Sequence, residues 1–370
     1  MLPGSKARRL LFAVALMAVL AVGVASIAGF VLSSRNPFDR FVRFHPAIAP
    51  EGGFYPTARQ VRALAKAVLD PARTNVIIGG SSVMYGVGQP ADLIWTRELA
   101  SVLGDEYRVI NLAMRGGDVA GIASFTAEML AREGYRIVYV ADLAVALTAQ
   151  PIGSTPYQYF YWEARARGYL ADHPPRDRAI AANPLIAKPM LDDRLLTPLL
   201  LNINELRSYA AIRSRKDAVD PEIDPPQDIR YGAPAANLAL YIHLSGLQPE
   251  AQWPAVQSYF ETAVPPSIRR STIISVCLNS PGVADQAPDQ ARANWKTMEL
   301  LTQQRVEAAG ARAIGGCDGF TPADYVDRVH LSVEGGRKLA HRVAVAVRRP
   351  SAAPIAETPG PLDPALASRR

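Results

Sequence analysis

The sequence predicts an α/β protein built on a parallel sheet with helices on both faces, and three observations carry that prediction. Short apolar runs without polar alternation, such as "TNVIIG" (74–79) and "RIVYVADLAV" (136–145), have strand length and read as strands buried on both sides. Segments with apolar positions at helical spacing separate them. The alternation stops near Gln150 and resumes near Ser271, so a single sheet domain, 57–348, is expected to carry a long insertion, 151–270.

The elements follow in order. Residues 10–32, "LLFAVALMAVLAVGVASIAGFVL", are uncharged and come after Lys6, Arg8 and Arg9. At about 1.5 Å per residue this run is long enough to cross a hydrocarbon core of about 30 Å. The basic residues ahead of it hold residues 1–9 in the cytoplasm, which places everything after Ser33 outside the membrane. A cleaved signal peptide is the alternative, with "ASIAG" as its small-residue site, although its apolar region would be shorter, about 7–15 residues. Residues 33–56 read as an irregular stalk rich in Pro, Gly and aromatics. A helix at 57–69 opens the domain, followed by strand 74–79, helix 91–104, strand 107–113, helix 121–134 and strand 136–145. After the insertion come strand 271–279, helix 287–310 stopped by Gly310, a short strand at 311–316 and a final helix at 332–349. The insertion is Pro-rich and partly helical, as in "LLTPLLLNINELRSYAAIRSRK". The tail, 349–370, lacks periodicity and has the Pro- and Ala-rich composition of a disordered segment.

Composition narrows the function classes. The 370 residues carry a net charge of +6, but only 20% are charged and no Lys/Arg block dominates. There is no zinc-finger spacing, aromatic RNA platform or basic helix, so nucleic acid is not an expected partner. Cys277 and Cys317 belong to no CxxC or Cys/His cluster, so no metal is expected, and either a bridge or two buried thiols fits an exported domain. No cofactor is expected either: neither G-x-G-x-x-G nor G-x-x-x-x-G-K-[ST] is present.

The chemistry gathers at strand ends. In an open parallel sheet, ligands bind at the carboxyl ends of the strands. There the first strand runs into "GGSSVMYG", whose small residues allow a sharp turn that leaves one hydroxyl exposed. A serine needs a base, usually His, that a carboxylate orients. Of the five histidines, His45 lies in the stalk, His173 in a Pro-rich loop, His243 in the insertion and His341 inside the last helix. His330, in "DYVDRVHLSVEGG", lies between the last strand and the last helix, on the serine's edge of the sheet, with Asp327 three residues before it.

"GSSVMYG" at 80–86 together with "DRVHLSVEGGRKLA" at 327–340 resembles the SGNH (GDSL-like) hydrolases. The resemblance implies a flavodoxin-like three-layer α/β/α sandwich, with Ser82 as nucleophile, His330 as base and Asp327 as the orienting acid. Ser81 stands where the family commonly has Asp. The family's second block supplies a backbone oxyanion donor, which "NLAMRGGDVAG" matches at Gly116, with Gly117 as the alternative and Asn111 beginning the motif; the N–H of Ser82 joins it. The third block departs from the family. Where Gly-x-Asn-Asp is usual, this chain has "VYVADLAVALT", and Asp142 there would repel an oxyanion. Asn279, after the fourth strand, is the candidate replacement.

Two further segments bear on substrate. "YQYFYWEARARGY" (157–169) reads either as a helix packing its aromatics on the core or as aromatics set to stack on sugars or to meet a membrane interface. Arg207, Arg213, Arg215 and Lys216 read as a solvated helix face, or else as a site for an anionic polymer or lipid head group. An anchor followed by an outward-facing domain with a long insertion is similar to envelope proteins that work beside membrane-bound O-acyltransferases. That similarity implies an acylated glycan or lipid-linked substrate and a bacterial plasma-membrane location with the domain on the periplasmic side. Ester hydrolysis, acyl transfer and a non-catalytic glycan-binding or scaffold role all remain open at this level.

Overall fold

The computed structural model describes residues 5–38, 41–44, 56–143, 155–182, 196–214, 234–276, 279–315 and 319–349. The chain begins with helix α1 (Ser5–Leu32) and continues through α2 (Ala58–Val68), β1 (Thr74–Ile78), α3 (Ser82–Tyr85), α4 (Trp95–Leu103), β2 (Tyr107–Asn111), α5 (Ile122–Arg132) and β3 (Arg136–Asp142). Among the described residues, six helices lie between β3 and β4: α6 (Thr155–Ala166), α7 (Pro174–Ala182), α8 (Leu196–Ser214), α9 (Pro234–Gly246), α10 (Pro249–Ala263) and α11 (Pro266–Arg269). Then come β4 (Thr272–Ser275), α12 (Pro281–Asp285), α13 (Asp289–Ala308), β5 (Arg312–Ile314) and α14 (Val333–Arg348).

The five strands among the described residues are all parallel, in the order β2-β1-β3-β4-β5. This is the flavodoxin-like order, which reverses direction between β1 and β3 and opens a crevice at their carboxyl ends. Side chains alternate between the two faces of the sheet. Ile77, Tyr139 and Ile274 pack with α2, α5 and α13, while Val76, Ile78, Val138, Val140 and Ile273 pack with α4 and α14. The result is a three-layer α/β/α sandwich.

Local chemistry places the element ends. Thr57 and Gln60 form a reciprocal capping box at the start of α2, Ser332 caps α14, and Gly310, at φ +90°, stops α13. Helix α4 begins at Trp95, four residues later than the pattern suggests, because Gln89 Oε1 accepts the Trp95 N–H at 2.9 Å and holds 89–94 out of the helix.

One expectation changes, and one open choice is decided. Where the sequence reads as a stalk, the described residues fold onto the domain: Phe38, Phe41 and Phe44 pack edge to face, and Arg43 is buried. Three clustered phenylalanines bury too much apolar surface to stay in water. The aromatics of α6 follow the core reading. Phe160, Tyr161 and Trp162 are buried, with Phe160 stacked on Phe125 of α5 at 6.1 Å. They cover α5 and leave no ring face for a sugar; the side chains of Tyr157 and Tyr159, like Cys277, Cys317, Arg215, Lys216 and the tail 350–370, lie outside the described residues.

Candidate active site

The turn after β1 is built around a clamp. The Gly79 N–H still bonds Val140 O at 2.8 Å, and Gly80, at φ +101°, then swings the chain away from the sheet. A Cβ on Gly80 would sit 2.0 Å from Asp142 Oδ1, so glycine is required for space as well as for backbone angle. Asp142 closes β3 beside it. Its Oδ1 accepts the Ser81 N–H at 2.7 Å, and its Oδ2 bonds the Ser81 hydroxyl. Ser81 Oγ in turn accepts the Val83 N–H at 3.2 Å, and Ser82 begins α3. Asp142 therefore faces Ser81 and braces the turn. Burial raises its carboxyl to about 6, against the pull of its bonds from Ser81.

A second tight loop carries His330. A 3-10 turn, Pro322–Asp324, leads into a bridge between Tyr325 and Leu331, and the Val326 N–H bonds His330 O at 2.9 Å. Within that loop Asp327 Oδ1 accepts the N–H groups of Val329 and His330, both at 2.8 Å. Asp327 Oδ2 lies 2.6 Å from His330 Nδ1, and His330 Nε2 lies 2.8 Å from Ser82 Oγ. The nearby carboxylate favours Nδ1–H, so Nε2 faces the serine as an acceptor. Burial pushes the Asp327 carboxyl up, but its hydrogen bonds to His330 and the two backbone N–H groups prevail and hold it below the ordinary value. Residues 248 positions apart thus meet in one hydrogen-bonded row.

Gly116 and Gly117 separate in role. The Gly117 N–H donates to Met114 O at 3.0 Å, and a Cβ there would lie 2.7 Å from Gly80 O. The N–H groups of Gly116 (φ +67°) and Ser82 donate to no described residue. The Met114 N–H reaches Gly80 O at 3.3 Å, which docks this loop on the serine turn. A cavity of about 30 Å³, lined by Gly80, Met114, Gly116, Gly117 and Asp118 among others, lies between the two loops. Asp118 accepts the Ala120 N–H at 2.7 Å and meets Tyr259 of α10, so the segment between β3 and β4 reaches this rim. Asn111 is a bracket: its amide donates to Met84 O at 3.2 Å and its oxygen accepts the Ala113 N–H at 3.1 Å. Asn279 is half-buried on the flank of the histidine loop, where its neighbour Ser280 donates to Arg328 O at 2.8 Å.

The other described histidines stand apart. His173 Nδ1 accepts the Arg176 N–H, His243 is exposed on α9, and His341 is exposed 3.5 Å from Glu98; His45 lies outside the described residues. Three supporting residues have no role assigned by the motifs. Arg43 Nη1 donates to Gly86 O at 2.6 Å and Nη2 to Gln89 O at 3.0 Å, fixing the far end of α3. Gln89 Nε2 donates to Leu331 O and Ser332 O, tying the serine loop to the histidine loop. The Tyr85 hydroxyl donates to Phe44 O. An arginine between aromatics in the stretch "FDRFVRF" is the only sign of Arg43 in the sequence.

Among the described residues no group of three or more His, Cys, Asp or Glu side chains could hold a metal. No family model matches the chain, and no characterised protein matches its sequence. Among solved structures it is similar to Est24, a carbohydrate acetylesterase from Sinorhizobium meliloti, at 12% identity over 74% of this chain and 98% of that chain, with a TM-score of 0.31.

Proposed function

We propose that the protein is a membrane-anchored, extracytoplasmic serine esterase or O-acyltransferase of the SGNH type, acting on acyl esters of cell-envelope glycans. The observation that carries this reading is the row Ser82–His330–Asp327, with contacts of 2.8 and 2.6 Å at the carboxyl edge of the sheet. In the proposed reaction, Ser82 Oγ attacks the ester carbonyl while His330 Nε2 takes its proton, and Asp327 stabilises the imidazolium. The Ser82 and Gly116 N–H groups receive the negative charge that develops on the carbonyl oxygen. Collapse returns the proton from His330 to the leaving sugar oxygen and leaves an ester on Ser82. Water then releases a free acid, or a sugar hydroxyl takes the acyl group; a membrane-bound O-acyltransferase is the partner that would supply or receive it. Asn279 is the candidate for a third donor.

Helix α1 supports the anchored reading. Its stretch Ala7–Leu32 is long and apolar enough to cross a membrane. We place the protein in a bacterial plasma membrane with residues 1–9 in the cytoplasm and the domain on the periplasmic side.

The second reading is a non-catalytic glycan-binding or scaffold protein on the same fold. Asp142, where the family has an Asn donor, is what favours it. Release of p-nitrophenol from p-nitrophenyl acetate by the purified full-length protein, beside Ser82→Ala, separates the two. Turnover lost in the variant supports the enzyme; equal rates in both folded proteins would leave either a strict transferase that needs its membrane partner or the scaffold.

A further inference from the structure

Helix α1 is exposed along most of its length, but one stripe is covered. Ser26, Gly29 and Ser33 are buried, and α8 lies against the first two. The approach is close: a Cβ on Gly29 would lie 1.7 Å from Asn202 O, and Asn202 Nδ2 donates to Ser26 Oγ at 3.3 Å. Small residues at such spacing let two helix backbones touch, as helices do within lipid.

The two ends of α8 have different surroundings. After Asn202 the helix belongs to the domain: Thr57 donates to Glu205 Oε2 at 2.5 Å, Gln60 Nε2 to Glu205 O at 3.0 Å, and Ser208 Oγ to Gln60 Oε1 at 2.8 Å. Asn202 bonds Ser26, and both Asn202 O and Leu206 N lie against Gly29, so α8 runs in the same direction as α1 and its turns before Asn202, which carry none of these bonds, point back toward the start of α1. Those turns, "LTPLLL", carry no charge, and Leu200 is 48% exposed. A helix start in an apolar medium leaves N–H groups unpaired at a cost, and Pro198 removes one of them. Arg35, just past α1, and Arg207 on α8 are exposed on the domain side of this apolar stretch.

We propose that the N-terminal turns of α8 are embedded in the outer leaflet beside α1, so that the segment between β3 and β4 seats the domain on the membrane. The occupant of the exposed Leu200 face is then lipid. Its apolar surface continues that of α1, and Arg35 and Arg207 sit where anionic head groups would lie. Six residues at about 1.5 Å each reach about 9 Å beyond Asn202, which matches the depth of about 5–10 Å at which interfacial helices lie. The proposal rests on the anchored reading of α1 and is independent of the enzyme reading. It restricts substrate to molecules that reach the membrane surface.

The test uses the full-length chain reconstituted in vesicles, some made with phospholipid brominated in the acyl chains. Three variants, Leu200→Trp, Ala210→Trp on the same helix and Leu300→Trp on α13, are compared with the parent for the extra tryptophan emission. All three positions are exposed, so the added ring displaces no core side chain. Emission from Leu200→Trp should be blue-shifted and at least twofold quenched by brominated lipid, with Ala210→Trp and Leu300→Trp unchanged. Equal behaviour of all three, in protein that resists alkaline extraction, would overturn the α8 proposal and leave the anchor intact; a protein helix on this face gives that result. Loss of the protein from the vesicles on alkaline extraction would overturn the anchor and the proposal together. Neither result touches the esterase assay.

Discussion

Replacing Asp142 with asparagine should stabilise the protein at neutral pH, by an amount the structure sets. Asp142 is 2% exposed, and its carboxyl is raised from 3.8 to about 6 in the folded protein. The folded state therefore binds this proton more tightly than the unfolded chain does. Stability contributed at this site is greatest below pH 4, falls as pH rises through about 6, and is level above that. Two units of difference at about 1.36 kcal/mol each make the charged form cost about 3 kcal/mol at neutral pH. Asparagine keeps the bonding pattern of the protonated acid, because its oxygen accepts the Ser81 N–H and its amide donates to Ser81 Oγ. For a domain of roughly 290 residues, about 3 kcal/mol corresponds to about 5 °C in Tm. Thermal unfolding of parent and Asp142→Asn, followed at pH 4 and pH 7.5, should show curves that coincide at the lower pH and separate by about 5 °C at the higher. A variant less stable than its parent at pH 7.5 would refute the reasoning, since the charged bonds to Ser81 would then outweigh burial. Asp142→Ala, which removes the clamp altogether, should lower kcat at both pH values.

Asp327→Asn should lower kcat on p-nitrophenyl acetate by about 10⁴-fold, because the amide no longer selects the Nδ1–H tautomer. The depressed carboxyl of Asp327 also contributes stability that is complete above its unfolded pKa and lost as pH falls through the folded one. Acid unfolding curves of parent and variant should therefore converge below about pH 4. Gly80→Ala places a methyl against Asp142 at φ +101° and should abolish turnover, whereas Gly104→Ala, at φ +81° with nothing within 4 Å, should cost about 1 kcal/mol in Tm measurements and spare the rate. Arg43→Met leaves Gly86 O and Gln89 O without their buried donor, at about 1–3 kcal/mol each. Its Tm and its esterase rate should fall together, since the same bonds hold α3.

The sequence by itself determined the α/β class and its parallel sheet, because strands buried on both faces must be apolar throughout and "TNVIIG" and "STIIS" are. It also determined which serine and histidine to compare, since only His330 falls at the serine's edge of the sheet with an acid beside it. Tertiary structure decided the rest. Whether Gly116 or Gly117 keeps a spare N–H depended on Met114 O, which takes one of them. Asp142 reads in the sequence as a charge beside an oxyanion, but in the fold it turns to Ser81, because the end of β3 packs directly against the Gly80 turn. Arg43 and Gln89 hold the site through backbone carbonyls, and a carbonyl has no signature in the sequence. The covering of α1 by α8 joins residues more than 170 positions apart. Periodicity records which face of an element is buried; it does not record which distant element does the burying, and that pairing is made by packing alone.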